Sequence, residues 1–160
     1  MPGATRSQID ILLASLTTLT VIFIDRITKI FFSKLLSYGE SLPVIHNVFH
    51  MTLVHNTGIA FGLFKDQGAV FVVVPVIAVI LLIVNIYYYQ QNDQVLSRTY
   101  IVAFSLILAG AIGNLIDRMQ YGYVIDFIDF RVWPVFNIAD SAITIGALIV
   151  GFKCFRLTDK

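Results

Sequence analysis

Five aspartates, Asp25, Asp117, Asp126, Asp129 and Asp140, stand at the ends of long apolar stretches of this chain. An ionisable side chain at the edge of hydrocarbon is costly, so each is a candidate functional group. Two carboxylates brought together cannot both ionise easily; one pKa rises and the pair shares a proton. Such a pair can hydrolyse an amide, one carboxylate acting as general base on water and the other as general acid toward the carbonyl. Asp126 and Asp140 fit this best, since one follows the third apolar stretch and the other opens the fourth. A helix N-terminus at Asp140 also favours a negative charge, although a carboxylate there can simply cap the helix. Asp117 is the main rival to Asp126, with the adjacent Arg118 offering it a structural role as an ion-paired anchor. Asp129 is a weaker rival that shares a face with Asp126 if this stretch is helical, and otherwise faces water. Asp25 and Lys29 have i, i+4 helical spacing and can pair, either as a purely structural unit or with a direct role.

Other hydrolytic chemistries find no support. The chain has no G-x-S-x-G elbow and no H-E-x-x-H motif, which sets aside serine and zinc hydrolases. Its single cysteine, Cys154, lies in the last apolar stretch and reads as a small packing residue. His46, His50 and His55 fall within ten residues. The His46/His50 spacing would suit a metal on a helix, but the surrounding period-2 pattern argues for a strand and partly exposed imidazoles. No metal and no cofactor are expected.

The elements that must position the aspartates are membrane spans. The chain is 58% hydrophobic and 13% charged, with a mean hydropathy of +0.83, more apolar surface than a soluble domain of 160 residues could bury. A net charge of +1 without a basic stripe excludes nucleic acid as a partner. Apolar runs at 11–24, 67–92, 99–116 and from Asn137 or Asp140 to about Phe155 give four spans. The first, followed at once by Asp25, Arg26 and Lys29, reads as an uncleaved span and not a signal peptide. The second has a tyrosine belt at 87–89, and the third carries Ala109, Gly110, Ala111 and Gly113, which allow close helix approach. Reversal at each crossing places Asp25, Asn56, Asp117, Asp126 and Asp140 on one membrane face. Arg6, Arg98, Lys153, Arg156 and Lys160 lie on the other, against Lys34, Lys65 and Arg131 beside the carboxylates, so the carboxylates are outside and the termini cytoplasmic. The 37–65 loop alternates through Leu42, Val44, His46, Val48 and His50, which predicts a small extramembrane β element. The 119–135 segment, with Tyr121, Tyr123 and Trp133, reads as an interfacial piece. The expectation is an all-α membrane protein of one domain, 1–160, with four transmembrane helices and a small β element between spans one and two.

Five blocks carry a family resemblance: Asp25-Arg-Ile-Thr-Lys29, Asn56-Thr-Gly-Ile-Ala-Phe61, Gly110-Ala-Ile-Gly-Asn-Leu-Ile-Asp-Arg118, Val124-Ile-Asp-Phe127 and Phe136-Asn-Ile-Ala-Asp140. Their order resembles that of the bacterial lipoprotein signal peptidases (signal peptidase II). The resemblance implies an inner-membrane aspartic endopeptidase that cleaves prolipoproteins just before a diacylglyceryl-modified cysteine, with its site toward the periplasmic face, in contact with membrane lipid and inhibited by globomycin-type compounds. It maps the catalytic dyad onto Asp126 and Asp140. It marks Asn56, Gly58, Asn114, Arg118, Phe136, Asn137 and Ala139, with Asp25, Lys29 and Asp117, as residues that bind substrate or orient the site. Arg26 departs from the family, which more often has glutamine there; an extra charge at the interface can snorkel to water. Phe61, Phe127 and Phe136 either line a lateral path for the lipidated substrate or act as interfacial anchors. The alternative function is a small proton-coupled transporter subunit, whose carboxylates should lie near mid-span; here they sit at span ends, which also argues against a scaffold without chemistry.

Overall fold

The computed structural model describes residues 5–58 and 97–158, with side chains through Lys153. The expected second span at 67–92, Phe61, Lys65 and the Cys154 side chain lie outside the described residues. Three helices, α1 (Arg6–Leu35), α2 (Arg98–Tyr121) and α3 (Ile138–Thr158), and three strands, β1 (Ser41–Ile45), β2 (Phe49–Asn56) and β3 (Val124–Asp129), make up the described fold.

Helix α1 starts at a reciprocal cap in which the Thr5 hydroxyl accepts from the Gln8 amide and the Gln8 side chain accepts from the Thr5 amide. Its 30 residues make a rod of roughly 45 Å, longer than the ~30 Å hydrocarbon core of a bilayer. Helices α1 and α2 are each long and apolar enough to cross a membrane. Helix α2 ends where Gly122 adopts a left-handed conformation (φ 77°) and donates its amide to the Arg118 carbonyl, the glycine stop that L residues resist.

The α2–α3 seam is built on small residues, as their spacing predicts. A methyl group at Gly110 would collide with the carbonyl oxygen of Ala139 and lie 2.7 Å from Ile143, and one at Gly146 would lie 2.7 Å from Ile107. A methyl at Gly113 would come within 2.8 Å of the Asp25 carboxylate. Backbone approach at these points is what lets α1, α2 and α3 bring polar side chains into one small volume.

The sheet corrects the expected architecture. Strands run in the order β1-β2-β3, each antiparallel to its neighbour. The expected β element is present as a hairpin over residues 41–56, with a turn at Asn47 (φ 59°) interrupting the 42–50 alternation, but its sheet takes a third strand from the segment between α2 and α3. The β element is not confined to the loop after the first span, and the fold combines helices with a sheet. The 119–135 segment contains a strand because Val124, Ile125, Phe127 and Ile128 are β-branched or aromatic residues that favour extended backbone. Its inner position in the fold buries Val124, Ile125 and Phe127. A small core of Leu36, Leu53 and Ile125, flanked by Phe32, Met51 and Tyr123, fixes the sheet on the end of α1. After β3 the chain turns through Arg131 (φ 66°) and returns as one antiparallel bridge, Ile128 to Phe136. That bridge delivers Asn137 beside Asp126 and starts α3 immediately afterwards.

Candidate active site

Asn137 is the hinge of the site. Being the residue before α3, it caps the helix: its side-chain oxygen accepts from the Asp140 amide at 2.9 Å, and the Asp140 carboxylate accepts from the Asn137 amide at 3.3 Å. This is the capping-box reciprocity, with aspartate in the third position. Its side-chain NH2 meanwhile donates to Asp126 Oδ1 at 2.7 Å, with Asn114 Oδ1 and the Ile125 carbonyl also within 3.2 Å. One fully buried asparagine thus holds a carboxylate on each side. The other oxygen of Asp126 accepts from Asn56 at 2.9 Å, and the other oxygen of Asp140 accepts from Asn114 at 2.7 Å. Asn56 itself is fixed by the Gly58 amide, which donates to its side-chain oxygen at 3.0 Å.

Asp126 is 1% exposed. Burial first, and then the neighbouring Asp140 charge, push its pKa up to about 7 against the lowering effect of the Asn56 and Asn137 donors. Arg118 lies within electrostatic reach of Asp140, Asp126 and Asp117, and its Nη1 donates to the Asn114 carbonyl at 3.4 Å.

Behind the two carboxylates lies a buried charge cluster. Lys29, wholly buried, sits 2.9 Å from Asp25, 2.8 Å from Asp117 and 3.1 Å from the Asn114 side-chain oxygen. Asp25 accepts from the Ala139 amide at 3.1 Å, and Asp117 accepts from the Ile125 amide at 3.1 Å. Each of these carboxylates therefore grips the backbone N–H of the residue that precedes Asp140 or Asp126. Arg26 completes the cluster by pairing with Asp117.

Several sequence expectations change here. Asp117 takes close ion pairs from Lys29 and Arg26 of α1, because it lies near the end of α2 on the face packed against α1, and the adjacent Arg118 is within its electrostatic reach. Arg26 does not snorkel to water: its side chain is only 18% exposed and lies against Asp117. Asp25 and Lys29 pair as their spacing predicts, but the pair extends to Asp117 and into the site. Asp129 shares no face with Asp126, since both lie on a strand three residues apart. Nor does it face water; it is buried, accepting from the Thr52 hydroxyl at 2.7 Å and from Arg131. Although burial works against its charge, those donors hold its carboxyl below the usual range. Phe127 is buried and stacked on Phe32 with centroids 4.5 Å apart, as a packing residue would be. Phe136 acts through its backbone, which pairs with Ile128 and Phe127. The histidines serve separate purposes: His50 meets the Ser41 hydroxyl, while His55 is stacked between Tyr38 and Tyr123.

The structure thus brings Asp25, Lys29, Asn56, Asn114, Asp117, Asp126, Asn137, Ala139 and Asp140 into one hydrogen-bonded network. Its contribution beyond the sequence is the role of Ile125, whose amide and carbonyl are both gripped. The β-branched and aromatic residues Val124, Ile125, Phe127 and Ile128 were the available signal for a strand there.

Residues 17–156 match the family model of signal peptidase (SPase) II. The chain belongs to the signal peptidase II family. The lipoprotein signal peptidase of Halothermothrix orenii is 42% identical over 84% of this chain and 90% of its own length. That of Moorella thermoacetica is 45% identical over 89% and 90%. A solved bacterial membrane enzyme superposes with a TM-score of 0.81 at 33% identity, covering 91% of this chain and 88% of that one. With membership in the signal peptidase II family, the helices long enough to cross a bilayer and the polar cluster at their ends belong to one design.

Proposed function

We propose that this chain is an intramembrane aspartic endopeptidase that removes the signal peptide of prolipoproteins by cleaving before the diacylglyceryl-modified cysteine. The supporting observation is the bridging of Asp126 and Asp140 by Asn137. Two carboxylates, one buried and one half-buried, joined through one asparagine can share a proton, and the high pKa of Asp126 suits it to hold that proton near neutral pH.

In this mechanism ionised Asp140 takes a proton from water as its oxygen attacks the scissile carbonyl carbon, and protonated Asp126 donates to the carbonyl oxygen. Collapse of the tetrahedral intermediate breaks the C–N bond, with the amine leaving protonated by Asp140 and the proton on oxygen returning to Asp126. Asn56, Asn114 and Asn137 fix the carboxyl oxygens, so little reorganisation is needed during reaction. Four spans across the bacterial inner membrane, cytoplasmic termini and a site at the periplasmic face would let the acyl chains of the substrate remain in the bilayer while its peptide reaches the dyad. Globomycin-type inhibitors would compete for that position.

The test is cleavage of a diacylglyceryl-modified prolipoprotein by the purified protein in detergent, with unlipidated substrate as control. Asp126→Asn and Asp140→Asn should each lose cleavage and Asp129→Asn should keep it. Activity surviving either of the first two changes would move the catalytic assignment.

A further inference from the structure

A cavity of about 640 Å³ opens on the other side of β3, between the end of α1, the end of α2 and the sheet. Arg26, Ile30, Ser33 and Lys34 reach it from one stripe of α1, as i, i+4, i+7 spacing dictates, and Ser37 joins them from just beyond the helix end. The opposite wall is aromatic. Tyr38 stacks on His55 at 4.8 Å, His55 on Tyr123 at 4.0 Å, and Tyr123 on Tyr121 at 5.8 Å, and all four rings line the cavity. Burial holds the His55 pKa below its ordinary value, so this ring is neutral near pH 7. Below lie Leu36, Leu53 and Ile125.

The charge in this cavity has one sign. No carboxylate is among its described lining residues. Asp117 offsets Arg26 from behind. Glu40, the nearest acid in sequence to Lys34, spends its carboxylate on the Ser37 amide at 2.7 Å. Lys34, in the last turn of α1, has no ion-pair partner among the described residues. The outer surface of α1 just beside the cavity is apolar, with Ile27, Ile30, Phe31 and Leu35 exposed. A cation, hydroxyls and aromatic rings at the end of a spanning helix, continuous with an apolar strip along it, are complementary to an anionic amphiphile.

We propose that this cavity binds the phosphate headgroup of an anionic membrane phospholipid, with its acyl chains lying along Ile27, Ile30 and Phe31. Lys34 supplies the uncompensated charge, and the serine and tyrosine hydroxyls donate to the headgroup. The proposal rests on the membrane placement given above but not on the peptidase chemistry. The site is separated from Asp126 by the thickness of a strand, since Ile125 and Tyr123 point into the cavity and Asp126 points away from it.

The experiment is native mass spectrometry of the full chain in detergent, titrated with phosphatidylglycerol or phosphatidylcholine, with inorganic phosphate as competitor. The expected result is preferential retention of one phosphatidylglycerol, weakened about five-fold by Lys34→Gln and about 25-fold by Lys34→Glu, as expected for one basic charge near an anionic headgroup. Lys34 is exposed, and both variants should keep the wild-type melting temperature and cleave lipidated substrate normally. Equal retention of the two lipids, or unchanged binding in Lys34→Glu, would overturn the proposal. So would displacement of the lipid by millimolar phosphate, which would assign a small-anion site. Wild-type lipid preference without any cleavage would instead count against the peptidase reading alone.

Discussion

Asp126→Asn should reverse its effect on stability between acid and alkaline pH. In the native state the Asp126 pKa is about 7, against an ordinary value of 3.8. The folded protein therefore binds this proton more tightly than the unfolded chain does, and the stability it contributes is fully present below about pH 4 and is lost as pH rises through 7. Integrated between pH 4 and pH 8, the loss is about 4 kcal/mol at 1.36 kcal/mol per unit. Asparagine has no such titration. Its single oxygen can accept from only one of the two donors now satisfied, Asn56 and Asn137, so the variant carries a pH-independent cost of about 1–3 kcal/mol. The variant should be less stable than wild type at pH 4 and more stable at pH 8. The difference between the two melting curves should swing by about 8–16 °C across that range for a chain of this size. Thermal unfolding of both proteins in the same detergent, followed by far-UV circular dichroism at several pH values, measures this directly. Parallel curves of melting temperature against pH would refute the burial and charge argument for Asp126, whatever their offset.

Lys29→Met should be strongly destabilising, by about 3–5 kcal/mol, because it removes the cation that the buried Asp25 and Asp117 carboxylates share. Adding Asp25→Asn should recover part of the melting temperature, and a double variant no more stable than the single one would count against charge balance as the cause. Gly110→Ala should cost about 1–3 kcal/mol through its collision with Ala139 and Ile143, and should lower cleavage by displacing the helix start that carries Asp140. Gly151→Ala, where an added methyl meets nothing within 4 Å among the described residues, is the matched control and should be silent in both assays. The cleavage rate, kcat/KM, should fall as pH rises through about 7, where Asp126 loses the proton that the proposed mechanism has it donate; a rate that climbs steadily from pH 7 to 9 would assign the acid role elsewhere.

Which parts of this site were legible in the sequence follows from the range of the forces involved. The α2–α3 seam could be read because close approach needs small residues and leaves them spaced along one helix. The grouping of Asp25, Asn56, Asp117, Asp126 and Asp140 was expected from a reversal of the chain at each of four expected spans, and the structure brings these residues together. The Asp25–Lys29 pair followed from helical spacing. The partners of Asp117 could not be read, since they depend on the rotation of α2 against α1, and adjacency in sequence pointed to Arg118 instead. Asp129 went wrong for a similar reason: a six-residue strand flanked by turns has too few periods to be told from a helical turn, and that choice decides whether residues three apart share a face. The resemblance supplied the residues but not the pattern in which they hold one another.

That pattern explains why so many charges are buried at the end of a helix bundle. An apolar cluster of equal volume would often be more stable than ion pairs taken out of water. It could not grip backbone amides. Here Asp25 holds the Ala139 amide and Asp117 the Ile125 amide, each one residue before a member of the proposed dyad, while Lys29 ties both carboxylates to each other and to Asn114. Asp126 and Asp140 come from different elements, a strand and a helix, with no covalent link shorter than the turn between them. Their separation is therefore set by how firmly β3 and α3 are pinned to α1. Two anchors and one shared cation pin both elements to the same ammonium nitrogen, so a movement of either strand or helix would have to break a charge-assisted bond. Arg26 strengthens the Asp117 anchor from the outer side. In this reading the cluster contributes geometry more than stability, and the dyad is placed by the charges behind it.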